Sequence, residues 1–89
     1  MIVNLAWNAN PAGENVTNYN LYYGNSSGVY NGSTSPINVG NVTSYAFNTA
    51  PASPGTIYLA LTAQNSIGES AFSSQVTVVQ EQLRPAISL

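Results

Sequence analysis

The sequence lacks the residues on which most enzyme chemistry and most metal binding depend. It has no cysteine, histidine, aspartate or lysine, and its only charged residues are three glutamates and one arginine. Without cysteine there is no disulfide framework, thiol chemistry or cysteine metal site. Without histidine, aspartate and lysine, the usual general bases, Schiff-base nucleophiles and zinc ligands are missing. The composition therefore predicts a protein that is not an enzyme and that binds no cofactor or metal.

Positive charge and long apolar runs are also scarce, and this limits the partners. One arginine cannot neutralise a phosphate backbone, so we expect no nucleic-acid binding. No stretch approaches the ~18–20 apolar residues of a membrane helix, so we expect no membrane insertion. No positively charged segment opens the chain. Either the protein is made without a secretory signal, or the sequence begins at a chosen domain boundary.

Amide and hydroxyl side chains take the place of charge. The 89 residues include 12 asparagines, 4 glutamines, 11 serines and 7 threonines, and the net charge is −2. This length corresponds to one small domain, and so small a net charge gives little electrostatic repulsion between copies. The composition is typical either of an uncharged bacterial, viral or thermophile surface, or of a subunit that is permanently assembled.

Alternation of apolar and polar residues with period two runs through the chain, and no helical period is convincing. Six or seven short strands at roughly 8–12-residue spacing predict an all-β, antiparallel sandwich. The clearest predicted strands span residues 3–7, 19–23, 37–39, 43–47, 57–63 and 72–79. Asn31-Gly32 predicts a type I′ turn, because both central residues of that turn need positive φ.

Several segments carry a family resemblance through their order and spacing. They include Leu5-Ala6-Trp7, Tyr19 to Gly24, Val39 to Tyr45, Pro54 to Tyr58, and Gly68-Glu69-Ser70 with Phe72-Ser73. Together they resemble the fibronectin type III domain in its bacterial and viral style. The resemblance implies an antiparallel fibronectin type III or immunoglobulin-like sandwich with a core tryptophan. It makes Tyr58 the corner tyrosine, whereas counting back along the strand in steps of two places Tyr58 outside and Ile57 inside.

The ends of the chain depart from this family. Its first strand, A, normally precedes the strand that carries the tryptophan, B, and here only six residues precede Trp7. We therefore predict a sandwich over residues 1–79 that starts at strand B and lacks the N-terminal A strand. Residues 80–89 form a C-terminal, strand-like extension.

The extension has the pattern of an edge strand with one apolar face. Its apolar positions are Leu83, Pro85, Ile87 and Leu89. Three readings remain open: the extension fills the vacant A position of a neighbouring copy, it returns to its own sandwich, or it is a linker. In the first reading the extension is a donor strand, and the acceptor edge is formed by Ile2, Val3 and Leu5, where no charge guards the strand.

These features predict a non-catalytic structural subunit that forms a filament or decorates a virion or cell surface. Its partners are copies of itself or a neighbouring structural protein, and its location is extracellular or in a virion. The alternative is a spacer or carbohydrate-binding module of a secreted multidomain bacterial protein. In that case Tyr22, Tyr30 and Tyr58 are candidates for a sugar-stacking face, although cross-strand packing also accounts for them.

Overall fold

Two antiparallel sheets make up the fold in the computed structural model, which describes residues 2–49 and 55–80. The strands are β1 (Ile2–Ala6), β2 (Asn18–Gly24), β3 (Ile37–Gly40), β4 (Ser44–Asn48), β5 (Gly55–Gln64) and β6 (Val76–Gln80), and a short 3-10 helix spans Ala12–Glu14. Strands β1 and β4 form one sheet, here called sheet A, and the other four form sheet B in the order β3-β2-β5-β6. The predicted all-β sandwich is confirmed, and its layout is compatible with an immunoglobulin-like or fibronectin type III-like fold. Among the described residues, no helix has the length and apolar character needed to cross a membrane.

The core lies between the facing sides of the two sheets. Tyr23 on β2 and the pair Ile57 and Leu59 on β5 are completely buried, and Phe47 of sheet A is 1% exposed. The alternation in β5 explains this, because every second residue points to the same side of a strand. Tyr58 between them is only half-buried, so β5 follows the register with Ile57 inside and Tyr58 outside.

Two aromatic contacts define the relative direction of the sheets. Trp7, just after β1, packs edge-to-face on Tyr19 at 5.6 Å between ring centroids, and Phe47 packs on Tyr23 at 5.1 Å. The sandwich therefore has a Trp7 end, where β1 finishes and β2 begins, and an opposite Ile2 end. Strand pairing brings four residues to the Ile2 end: Ile2 opposite Asn48, and Gly55 opposite Gln80.

The last strand begins later than predicted, at Val76 rather than at Phe72. The preceding segment still follows β5, but serine hydroxyls replace part of the backbone ladder. The Leu61 amide donates to Ser73 Oγ at 2.9 Å and the Ala63 amide to Ser70 Oγ at 2.9 Å. Because the four residues from Ser70 to Ser73 lie opposite only three on β5, Leu61 to Ala63, the segment is bulged and is not a regular strand.

The type I′ turn predicted at Asn31-Gly32 is wrong. Neither residue has positive φ; the glycines that do, within the described ranges, are Gly28, Gly40 and Gly55. Gly32 is instead needed for close approach, since an added Cβ would collide with the Tyr23 ring, and its amide donates to the Tyr23 carbonyl at 2.9 Å. A glycine in the sequence does not show whether its position requires positive φ or simply has no room for a side chain.

Candidate functional site

Strand β1 has a partner on one edge only within residues 2–49 and 55–80. It pairs with β4 from Ile2 opposite Asn48 to Ala6 opposite Ser44, and sheet A has no third described strand. None of its residues is buried; Ile2 is 57% exposed, and Val3 and Leu5 are half-buried. An edge of this kind presents a row of backbone donors and acceptors to which another strand can pair.

A groove of about 580 Å³ runs beside this edge, between β1 and β6. Its floor and walls are predominantly apolar, and the apolar side chains that line it include Leu5, Trp7, Leu59, Leu61, Val76 and Val78. Leu59 is part of the buried core, whereas Val76 is 51% exposed. The groove therefore leads from the surface to the core along the side of β1 that has no described strand partner.

Trp7 stands at one end of the groove. Its amide donates to the Thr43 carbonyl at 3.0 Å, and this bond continues the β1–β4 pairing beyond Ala6. Its indole Nε1 is buried and has no hydrogen-bond partner in the part of the chain that the structure describes. An unpaired buried donor costs about 1–3 kcal/mol. The tryptophan that the sequence places in the core thus lies at its border, with one polar atom unsatisfied.

The predicted interface residues fall partly within the described ranges. Ile2, Val3 and Leu5 lie together on β1, and Leu5 both packs against the core and lines the groove. The predicted donor residues Leu83, Pro85, Ile87 and Leu89 lie outside the described residues. The sequence missed the opposite wall of the groove, Val76 and Val78, because no local pattern reveals that β6 lies across from β1.

The outer face of sheet B carries a polar network centred on Glu69. Its Oε2 atom accepts hydrogen bonds from Tyr22 Oη and Thr62 Oγ1, both at 2.5 Å, and a longer one from Asn20 Nδ2 at 3.4 Å. The hydrogen bonds from Thr62 and Tyr22 lower the pKa of Glu69, and the bond to Glu69 raises the pKa of Tyr22. The network fastens the turn after β5 to the middle of sheet B.

Three aromatic rings continue this network on the same face. Phe72 packs edge-to-face on Tyr22 at 4.9 Å and on Tyr30 at 5.0 Å, and the two tyrosines are 6.4 Å apart. Tyr30 Oη donates to Gln75 Oε1 at 2.9 Å. Of the three candidates for a sugar-stacking face, Tyr22 and Tyr30 lie together in this cluster, whereas no ring contact joins Tyr58 to them in residues 2–49 and 55–80. Phe72 was missed because the sequence assigned it to a regular strand.

Two glutamates line one surface cavity of about 550 Å³ at the Trp7 end, namely Glu14 and Glu69. Glu14 accepts a hydrogen bond from Asn10 Nδ2 at 2.8 Å. Hydrolysis of a glycosidic bond needs one carboxyl group with a raised pKa to act as general acid. Hydrogen bonding moves the pKa of Glu69 in the opposite direction, so Glu69 is not suited to act as that acid.

Comparisons of the chain with protein-family models, with curated proteins and with solved structures found no match.

Proposed function

We propose that this chain is a non-catalytic structural subunit of the fibronectin type III kind, which assembles by strand donation. Residues 83–89 of one copy occupy the groove beside β1 of the next copy. The observation that carries the proposal is the apolar groove of about 580 Å³ next to a strand with one described partner. The setting we propose for such a subunit is a surface filament or a virion.

The pattern of residues 83–89 suits this groove. A strand added to a sheet edge forms backbone hydrogen bonds along its length and inserts alternate side chains into pockets. Leu83, Ile87 and Leu89 supply apolar side chains at alternate positions, and Pro85 is compatible with an edge strand. Burial of each such aliphatic side chain contributes about 1.5–3 kcal/mol.

The composition supports a subunit that stays assembled. Only Arg84 and the three glutamates carry charge in the 89 residues, so copies repel each other weakly at long range. No lysine or other charge guards the β1 edge, which is the usual protection of an exposed strand against pairing. Polar surface comes instead from asparagine, serine and threonine, which do not oppose close packing of like subunits.

The test is the mass of the protein in solution, measured by light scattering with and without residues 83–89. We expect large species from the intact chain and small, less stable species after deletion. Adding residues 83–89 as a separate peptide should restore the stability of the deleted form. The double variant Ile87→Asp/Leu89→Asp should also abolish assembly, because it buries two charges in the groove.

A matched control places the same charges on the other face of the extension. The variant Ala86→Asp/Ser88→Asp should still assemble, since in an alternating strand these side chains point away from the groove. An intact chain that is a stable monomer, with or without residues 83–89, would contradict the proposal. That result would leave the spacer or carbohydrate-binding module, for which the next measurement is binding to an array of sugars.

A further inference from the structure

The strand directions at the Ile2 end restrict how residues 83–89 can reach β1. Strand β6 ends at Gln80, opposite Gly55, and β1 begins at Ile2, opposite Asn48. Both positions lie at the same end of the sandwich. Strand β6 therefore ends at the end of the sandwich where β1 starts, and only Glu81 and Gln82 separate it in sequence from the donor segment.

Three arrangements follow, and the strand pairing separates them. If the chain turns back at Gln80, residues 83–89 run beside their own β1 in the same direction and pair parallel to it. If the chain continues in the direction of β6, two copies can exchange segments reciprocally across their Ile2 ends, which again gives parallel pairing, or the segment enters another copy at that copy's Trp7 end and runs antiparallel to its β1. Antiparallel pairs are slightly more stable per residue than parallel pairs, which favours the last arrangement. The pairing direction thus reports the symmetry of the assembly.

The chain's own turns between sheets show what a reversal requires. From β3 to β4 it uses three residues, 41–43, and from β4 to β5 it uses six, 49–54. Both reversals have a glycine with positive φ at a strand end, Gly40 at 82° and Gly55 at 108°. Asparagine or proline stands in each linker as well. These are the residues that tight turns need.

The segment after β6 has none of these features. Residues 80–84 read Gln-Glu-Gln-Leu-Arg, without glycine, proline or asparagine. Gln80 and Leu83 are three steps apart along the chain and can be separated by at most about 11 Å, which only just matches the ~10 Å between packed sheets and leaves no length for a turn. The sequence after Gln80 is therefore suited to continuing in the same direction and poorly suited to a reversal.

We propose that residues 83–89 pair antiparallel with β1 of the next copy, so that copies join head to tail into an open, polar chain. The inference rests on the proposed function and adds its direction and symmetry. A head-to-tail contact is heterologous, because each copy uses a different surface on either side, and such contacts propagate unless the rotation between copies closes a ring. A reciprocal exchange would instead close into a dimer with two-fold symmetry.

Disulfide trapping tests the direction cleanly because the chain has no cysteine. One cysteine replaces Ala86 or Ser88 in the donor segment, on the face opposite the apolar one. The second cysteine replaces one exposed residue in or just after β1, taken in turn: Ile2, Asn4, Ala6 or Asn8. Disulfides need Cα atoms about 4.4–6.8 Å apart, and two residues along a strand are about 6.6 Å, so neighbouring acceptor positions are distinguishable.

We expect that moving the donor cysteine from position 86 to 88 shifts the best acceptor two residues toward Ile2. The best pairs should give a ladder of covalent multimers on a non-reducing gel, and each single-cysteine variant should give no ladder. A shift toward Asn8, an internal crosslink or a product that stops at dimer would overturn the antiparallel chain. Assembly in which no disulfide forms at any of the four acceptor positions would also overturn it. Loss of assembly itself is read separately by light scattering, which tests the proposed function.

Discussion

The two sheets of this small sandwich differ in how completely the described chain pairs and covers them. In sheet B, the central strands β2 and β5 have neighbours on both edges, and residues of both strands are buried on either side. In sheet A, β1 has one described neighbour and no buried residue. Among the described residues, burial and pairing thus concentrate on sheet B, and sheet A is the layer that the proposed donor strand would complete.

The outer faces differ in the same way. On sheet B, the segment between β5 and β6 folds over the surface, and Phe72 and Glu69 tie it to Tyr22. On sheet A, the outward residues Ile2, Asn4 and Ala6 are exposed. The segment that covers sheet B thus has no described counterpart on sheet A. This difference is consistent with the proposed assembly by strand donation.

The largest effect should come from shortening a core side chain of sheet B. Leu59→Ala removes a completely buried side chain, and we expect a loss of about 2–5 kcal/mol in the free energy of unfolding. The matched change on sheet A, Leu5→Ala, should cost about 1–2 kcal/mol in the monomer because Leu5 is half-buried. Denaturant unfolding at a concentration where light scattering reports monomers measures both.

Equal losses of unfolding free energy for the two leucine variants would contradict the difference between the sheets, because Leu5 would then be as well packed in the monomer as Leu59. In the assembled protein, the losses of unfolding free energy caused by Leu59→Ala and Leu5→Ala should differ less than in the monomer. A donated strand would complete the burial of Leu5, while Leu59 lies in a core that already exists without a partner.

A smaller loss of stability should come from a change in the segment between β5 and β6 that covers sheet B. Phe72→Ala removes a half-exposed ring with two edge-to-face partners, and we expect a loss of about 1–2 kcal/mol. Ile67→Ala is the control, because Ile67 in the neighbouring turn is 93% exposed and should change the stability little. Phe72→Ala should leave strand-mediated assembly intact; loss of assembly in this variant would mean that the two sheets do not act independently.

Much of the fold was predictable from local patterns, as β2 illustrates. Its alternating tyrosines and leucine predict a strand with one apolar face, and Tyr19, Leu21 and Tyr23 are indeed buried. The sequence did not determine which residues of β5 face the core, because the family resemblance and the alternation placed Tyr58 on opposite faces. Packing of Ile57 and Leu59 against the core decided it.

The features that escaped the sequence depend on contacts between distant residues. Phe72 was predicted to begin the last strand, but it packs on the rings of Tyr22 and Tyr30 and lies before the regular ladder. Gly32 looks like a turn residue and is instead a place where the Tyr23 ring needs room. Strand β1 has one described neighbour, and the facing wall of its groove, Val76 and Val78, follows only from the sheet order.

The smallest effect should be the pH dependence contributed by Glu69. Hydrogen bonds from Thr62 and Tyr22 hold its pKa below the ordinary value of 4.5. A carboxyl group with a lowered pKa stabilises the folded state above its unfolded pKa, and this contribution is lost as the pH falls through the folded pKa. Because Glu69 is exposed, we expect this contribution to the free energy of unfolding to be less than about 1 kcal/mol.

Glu69→Gln keeps the shape of the side chain but does not titrate, so the stability of this variant should approach that of the original chain below about pH 4 and fall short of it at pH 7. Thermal unfolding of both proteins between these limits measures the difference, and parallel curves at a constant offset would show that the carboxylate does not anchor the turn over sheet B.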